Sequence, residues 1–94
     1  MKREIRSENG LSALLETRYD AADITVYSFD YVANMADMIN ESDCVDVLGL
    51  ERKSFGFVIS LHFSCSKAEL TEMVCEAISE VYDVDTFVSC ARAE

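Results

Sequence analysis

The sequence predicts an α+β protein with the ferredoxin-like order β-α-β-β-α-β, in which two helices cover one face of an antiparallel sheet, preceded by a short N-terminal helix. The segment 55–65 alternates apolar and polar residues, which indicates a strand with one buried face. Two segments with helical spacing of apolar residues each lie between predicted strands. The 94 residues include no proline and no flexible linker, so we predict a single domain over residues 1–94.

The first half of the chain supplies a helix, a strand and a second helix. Apolar residues of 11–19 recur three and four positions apart, which predicts the N-terminal helix. The segment 24–29, ITVYSF, is β-branched and aromatic and predicts a strand. We expect Asp30 to cap a helix that runs to about Glu41. Its predicted apolar face consists of Val32, Met35, Ala36 and Ile39.

The second half begins with two strands joined by a polar turn. Residues 44–50 predict the first strand, 51–54 the turn, and 55–65 the long alternating strand. On this long strand we expect one face to be buried and the other to be open to water or to a partner. The predicted buried residues are Phe55, Phe57, Ile59, Leu61, Phe63 and Cys65.

The last helix has the clearest start signal in the chain. Ser66 is followed three residues later by Glu69, the spacing of a capping box in which each side chain bonds the other residue's backbone N–H. Residues 84–91 predict the final strand. The predicted core stripe of the helix consists of Leu70, Val74, Ala77, Ile78 and Val81.

Negative charge is concentrated in two stretches that contain no Lys or Arg. Residues 19–51 hold eight carboxylates and residues 68–91 hold six, within a formal net charge of −10. Such a one-sided field repels nucleic acid and anionic membranes and attracts basic proteins. We therefore expect a basic protein partner, and no direct binding to nucleic acid or membrane.

Helical spacing places many of these carboxylates on one surface. Acidic residues spaced three or four apart lie along one face of a helix. A charged helix face is also typical of simple solvation, and that interpretation stays open. The predicted partner-binding surface consists of Glu69, Glu72, Glu76, Glu80, Asp83, Asp37 and Glu41.

These features predict a small acidic inhibitor that imitates nucleic acid and occupies the groove of a basic nucleic-acid-binding protein or ribonucleoprotein complex. Phage-encoded inhibitors of bacterial defence, including anti-CRISPR proteins, are similar in size and acidity but share no motif with this chain. The alternative is a regulatory or assembly module that forms a homodimer or binds a partner through its open sheet face. Under that alternative the relevant residues are Val58, Ser60, His62, Val84, Thr86, Val88 and Cys90.

One short segment resembles a known nucleic-acid-binding signature. Residues 53–60, KSFGFVIS, resemble the RNP1 motif of RNA-recognition motifs, with Ser54 and Ser60 in place of its glycine and closing aromatic residue. The resemblance implies that Phe55 and Phe57 stack on bases at an open sheet face. The alternation of this strand instead directs both rings towards the core, so we do not expect RNA binding.

No motif of an enzyme or a metal site accompanies the charge. The four cysteines form no CxxC pair, and we expect them to be reduced thiols in the core. His62 and Cys65 would face opposite sides of a strand. Phosphate-binding and dinucleotide fingerprints are missing, so we expect neither catalysis nor a cofactor. With no signal-peptide pattern and no long apolar run, we expect a cytoplasmic protein.

Overall fold

The computed structural model describes residues 2–89, which form one antiparallel sheet and two helices. The α+β class predicted from the sequence is therefore confirmed. The strands run in the spatial order β4-β5-β3-β2-β1-β6, and every neighbouring pair is antiparallel. The elements are β1 (Lys2–Ser7), β2 (Ser12–Thr17), β3 (Ala21–Val26), α1 (Val32–Asn40), β4 (Val45–Lys53), β5 (Gly56–Phe63), α2 (Lys67–Tyr82) and β6 (Thr86–Ser89).

The predicted N-terminal helix is wrong, because residues 2–17 form the β1–β2 hairpin. Asn9 and Gly10 lie in its turn, and Gly10 adopts a positive φ of 91°, which glycine tolerates best. The backbone N–H of Ser7 donates to the carbonyl oxygen of Leu11 at 3.0 Å and closes the turn. Burial within β2 alternates with period two, as a strand requires, despite the helix-like spacing of its leucines.

The ferredoxin-like prediction is also wrong, because the strand order differs. In that fold the first and last strands of the β-α-β-β-α-β unit are neighbours, which here would pair β3 with β6. The β1–β2 hairpin lies between them, so that β2 pairs with β3 and β1 pairs with β6. The hairpin widens the sheet to six strands. It separates β4, which contacts α1, from β6, which contacts α2.

One face of the sheet carries the core and the other is left uncovered by the helices. Ile24 of β3 lies opposite Leu15 of β2 on one side and Ile59 of β5 on the other, and all three are fully buried. α1 packs beside β4 and α2, while α2 packs beside β6. The buried residues of the helices are Val32, Met35, Ala36, Ile39, Leu70, Thr71, Val74, Ala77 and Ile78.

The helix cores follow the predicted pattern, whereas the start of α1 does not. All four residues of the predicted α1 stripe are buried, as are the predicted stripe residues of α2 except Val81, which is partly buried. Asp30 does not cap α1. The N-cap position is Tyr31, which has a left-handed φ of 59° and makes no side-chain capping hydrogen bond.

The alternation predicted for β5 is confirmed in its centre. Ile59, Leu61 and Phe63 are buried, while Phe55 lies in the β4–β5 turn and is 45% exposed. Residues 90 and 91 of the predicted last strand lie outside the described residues. Within residues 2–89, neither helix combines the length and the apolar character needed to cross a membrane.

Candidate functional site: an acidic groove beside the second helix

The acidic row predicted for α2 is formed on the solvent side of the helix. The capping box is present: the Glu69 N–H donates to Ser66 Oγ, and the Ser66 N–H donates to Glu69 Oε1, each at 3.1 Å. Glu69 is therefore engaged in holding the helix start. The other acidic residues of the row are exposed, namely Glu72, Glu76, Glu80 and Asp83.

The acidic residues of the two helices have no basic partner within residues 2–89. All four ion pairs in this part of the chain use acidic residues of the sheet. Most of the acidic charge in the strands is therefore balanced by a neighbouring base, with Asp46 as the exception, whereas the acidic charge of the helices is not. The pairs are Lys2–Glu16, Arg6–Glu4, Arg18–Asp23 and Lys53–Glu51.

The structure divides the predicted acidic surface into two parts. Glu76, Glu80 and Asp83 line a groove of about 940 Å³ that lies beside the second half of α2. The other four residues are exposed outside the lining of this groove: Glu69 and Glu72 on the first half of α2, Asp37 on α1, and Glu41 just beyond the end of α1. The expected surface thus includes a concave region that helical spacing alone does not reveal.

Two further carboxylates of the groove come from segments that the sequence analysis did not single out. Glu8 lies in the β1–β2 turn, and Asp85 lies between α2 and β6. The Glu8 N–H donates to the carbonyl oxygen of Asp85 at 3.3 Å, which holds the two segments together. The Asn9-Gly10 hairpin signal could have located the turn, but only the pairing of β1 with β6 brings it to α2.

The groove also has an apolar lining. Met38 and Ile39 approach from the end of α1, and Met73 and Ala77 from α2. Val84 contributes from the segment that follows α2. Ile39 and Ala77 belong to the buried core, whereas Met38 is 36% exposed. The arrangement is an apolar floor bordered by five carboxylates.

Cys75 is the thiol of the groove. Burial raises its pKa above the ordinary value of 9.0, and the nearby carboxylates of Glu72 and Glu76 raise it further. Thr86 Oγ1 approaches the carbonyl oxygen of Cys75 at 3.4 Å and Ser79 Oγ at 3.0 Å. The thiol is therefore protonated at neutral pH and acts as a partly buried apolar group.

The open sheet face contains only part of the residue set expected for an assembly module. Val58 and Ser60 are partly buried and His62 is exposed, all on the uncovered side. Thr86 bonds to Ser79 of α2 and so lies on the helix side. Val84 packs against the core, Val88 lies opposite Ile5 in the register of β1 and β6, and Cys90 lies outside the described residues.

Aromatic side chains gather at one end of the sheet, a feature that the sequence analysis missed. The rings of Tyr27 and Phe55 lie 5.4 Å apart, and those of Phe29 and Phe57 lie 6.1 Å apart. The guanidinium of Arg52 lies 4.8 Å from the centre of the Phe29 ring, a cation–π contact. The β4–β5 turn and the β3–α1 loop bring these residues together. Phe57 contacts the core, so the RNP1-like segment does not present both of its aromatic rings on the open face.

Within residues 2–89, no three His, Cys, Asp or Glu side chains are grouped closely enough to hold a metal ion. His62 shares a shallow depression of about 310 Å³ with Cys44 and with three aspartates, Asp20, Asp43 and Asp46.

Comparisons with known proteins identify no relative of this chain. No protein-family model matches it, and no significant match is found among the curated proteins or the solved structures.

Proposed function

We propose that this chain is a small protein-binding inhibitor that uses its unpaired acidic helix surface to occupy the nucleic-acid site of a basic protein or ribonucleoprotein complex. The observation that carries the proposal is the separation of charge. Within residues 2–89, four of the five acidic residues in the strands pair with Lys or Arg and only Asp46 does not, whereas none of those of α1 and α2 has a basic partner.

The spacing of the acidic row supports imitation of a nucleic-acid strand. Successive glutamates of α2 are three or four residues apart, which corresponds to about 5 Å along the helix axis. A DNA strand carries one phosphate per about 3.4 Å of axis, so the row is somewhat sparser than the strand it would replace. Neighbouring charges still lie within the Debye length of about 8 Å at physiological salt, and their fields reinforce one another.

The biological setting follows as part of the same proposal. Small acidic proteins that block nucleic-acid-binding complexes are typical of phage and mobile-element defence inhibitors, and CRISPR effector complexes offer suitable basic channels. The size and charge of this chain favour such a target over a free nucleic acid, which its net charge of −10 would repel.

The test is capture of purified CRISPR effector complexes and other basic nucleic-acid-binding proteins by the immobilised chain. The decisive variant is Glu72→Gln, Glu76→Gln, Glu80→Gln, which neutralises exposed acidic residues of α2 and leaves the capping residue Glu69 intact. We expect at least one target to bind at 50 mM salt and to be released by duplex DNA. Its affinity at 300 mM salt should be lower by about tenfold or more.

A control variant carries the same change in charge at a different place. Glu4→Gln, Glu16→Gln, Glu51→Gln removes three acidic residues of the sheet, so both triple variants have a formal charge of −7 instead of −10. We expect the α2 variant to lose capture and the sheet variant to retain it. Equal capture by both variants, or no DNA-sensitive capture of any target, contradicts the proposal.

The second candidate is an assembly module that acts through the uncovered sheet face. Leu14, Thr25 and Val58 support it, because they form a partly buried row across β2, β3 and β5 that no helix covers. Ion pairs such as Lys2–Glu16 border this row, as is typical of a sheet face in contact with water. We therefore favour the acidic helix surface over the sheet face as the binding surface. Sedimentation of the chain and of Val58→Lys tests the alternative: a dimer that the substitution dissociates would support it.

A further inference from the structure

We propose that the groove beside α2 binds a cationic amphipathic helix of a protein partner, with apolar side chains on the groove floor and Lys or Arg side chains at its acidic border. The inference rests on the proposed function, because Glu76, Glu80 and Asp83 belong to both surfaces, and it deepens that function by defining the chemistry of the partner. It concerns a concave protein-binding site rather than a charged helix face.

The floor of the groove distinguishes this site from a nucleic-acid mimic alone. Met38, Met73 and Val84 present apolar groups to the groove, and a surface that only imitates phosphates has no use for them. Methionine side chains adapt to differently shaped apolar ligands because they are unbranched and polarisable. The floor therefore favours a partner segment that buries aliphatic or aromatic side chains.

The border of the groove defines the charge of the partner segment. Five exposed carboxylates line the groove, and within residues 2–89 none of them forms an ion pair with Lys or Arg. Long basic side chains can lay their methylene groups on apolar surface and direct the charged end to such a border. The carboxylates are those of Glu8, Glu76, Glu80, Asp83 and Asp85.

The walls of the groove are held by hydrogen bonds that do not depend on a ligand. The Val84 N–H donates to the carbonyl oxygen of Ser79 at 3.3 Å, where α2 ends and the chain turns towards β6. Asp83 adopts the left-handed conformation at this turn, with a φ of 53°. Such pre-organisation lowers the entropic cost of binding a partner.

The dimensions of the groove fit a helix rather than a whole domain. A volume of about 940 Å³ accommodates only a few large side chains. An amphipathic helix supplies such anchors at positions i, i+3 or i+4, and i+7, with basic residues on either side of the apolar stripe. A nucleic acid offers neither the positive charge nor the apolar side chains.

The test uses two synthetic peptides and the full chain. One is a 14-residue helix of Leu and Lys with the leucines on one face, and the other has the same composition in a scrambled order without an apolar face. By isothermal titration calorimetry we expect one-to-one binding of the amphipathic peptide, at least tenfold tighter than binding of the scrambled peptide. In the double variant Met38→Gln, Met73→Gln, the affinity for the amphipathic peptide should fall to the affinity for the scrambled peptide.

A second measurement needs no substitution in the protein. Cys75 lines the groove, whereas Cys44 lies in the separate depression near His62. We expect the saturating amphipathic peptide to slow alkylation of Cys75 at least fivefold, as measured by mass spectrometry, and to leave Cys44 unchanged. Equal affinity for the two peptides, or unchanged alkylation of Cys75, overturns the inference.

The two proposals fail in different ways. If the peptides bind equally but capture of a basic target still requires Glu72, Glu76 and Glu80, the groove inference alone is wrong. If the groove prefers the amphipathic peptide but neutralising these glutamates leaves DNA-sensitive capture unchanged, the nucleic-acid-mimic proposal is wrong.

Discussion

The hydroxyl of Tyr82, in the last turn of α2, donates a hydrogen bond of 2.6 Å to the carbonyl oxygen of Asp30, in the loop between β3 and α1. The two residues are 52 positions apart in the sequence. The ring of Tyr82 also lies 6.1 Å from that of Tyr31, in an edge-to-face arrangement. This contact ties the end of the acidic helix to the start of α1.

Removing this hydroxyl tests how much the hydrogen bond between Tyr82 and Asp30 contributes to the stability of the fold. We expect Tyr82→Phe to lower the free energy of unfolding by about 1 kcal/mol, because it leaves the Asp30 carbonyl without this donor and retains the ring packing. The measurement is urea denaturation followed by circular dichroism. Tyr19 is 95% exposed, so Tyr19→Phe is the control and should change the unfolding free energy by less than about 0.5 kcal/mol. Equal effects of the two substitutions would contradict the assignment.

Gly56 is required where β5 passes close to the end of β3. A Cβ at this position would lie 2.0 Å from the carbonyl oxygen of Val26, and the φ of +151° is strained for other residues. We expect Gly56→Ala to destabilise the fold by about 2 kcal/mol or more, because backbone must move. Gly49→Ala is the matched control, since a Cβ there meets nothing within 4 Å. Similar melting temperatures of the two variants would contradict this prediction.

The raised pKa of the Cys65 thiol predicts that the fold loses stability at high pH. Burial raises its pKa from the ordinary value of 9.0 to about 11, and a hydrogen bond with Cys44 contributes. Because the folded-state pKa is the higher one, the associated stability is fully present below pH 9. It is lost as the pH rises through about 11.

The check is urea denaturation under reducing conditions at pH 8.5 and pH 11. Burial also raises the pKa of Cys75 and of Tyr82, so both the native chain and Cys65→Ala should lose stability at high pH. We expect the native chain to lose more than Cys65→Ala, and the difference between them reports Cys65. Identical losses would show that Cys65 does not contribute.

The acidic row should reduce the stability of the fold that carries it. Like charges four residues apart on a helix repel, and Glu72, Glu76 and Glu80 form two such pairs. We expect Glu72→Gln, Glu76→Gln, Glu80→Gln to raise the unfolding free energy by about 0.4–1 kcal/mol at low salt. At 1 M salt the gain should largely disappear, because the Debye length falls to about 3 Å.

The sheet variant with Glu4, Glu16 and Glu51 changed to Gln is the control for this effect. These residues form ion pairs with Arg6, Lys2 and Lys53, so their neutralisation should leave the stability unchanged or lower it by up to about 1 kcal/mol per pair. A comparable stabilisation of both variants would indicate a general effect of net charge rather than repulsion along α2.

The sequence predicts the buried faces of α1 and α2 and the start of α2 well, because these signals are local. The burial of Met35 and Ile39 follows from helical spacing, and the α2 start follows from the contact between Ser66 and Glu69. The same spacing gives a wrong prediction at 11–19, where Leu11, Leu14 and Leu15 fit a helix but belong to the β1–β2 hairpin. Apolar periodicity over so short a segment does not separate helix from strand, and the Asn-Gly turn signal before it decides the case.

What the sequence determined by itself is the amount of negative charge, the face of α2 that carries it, and the alternation that gives β5 one buried side. These follow from the geometry of a single helix or strand. The position of the β1–β2 hairpin between β3 and β6, and with it the groove that brings Glu8 and Asp85 to α2, follows only from the packing of the whole chain. The order of strands depends on pairings between segments that are distant in the chain. Packing energy and the entropy of loop closure select among the alternative pairings, and no local sequence pattern records that choice.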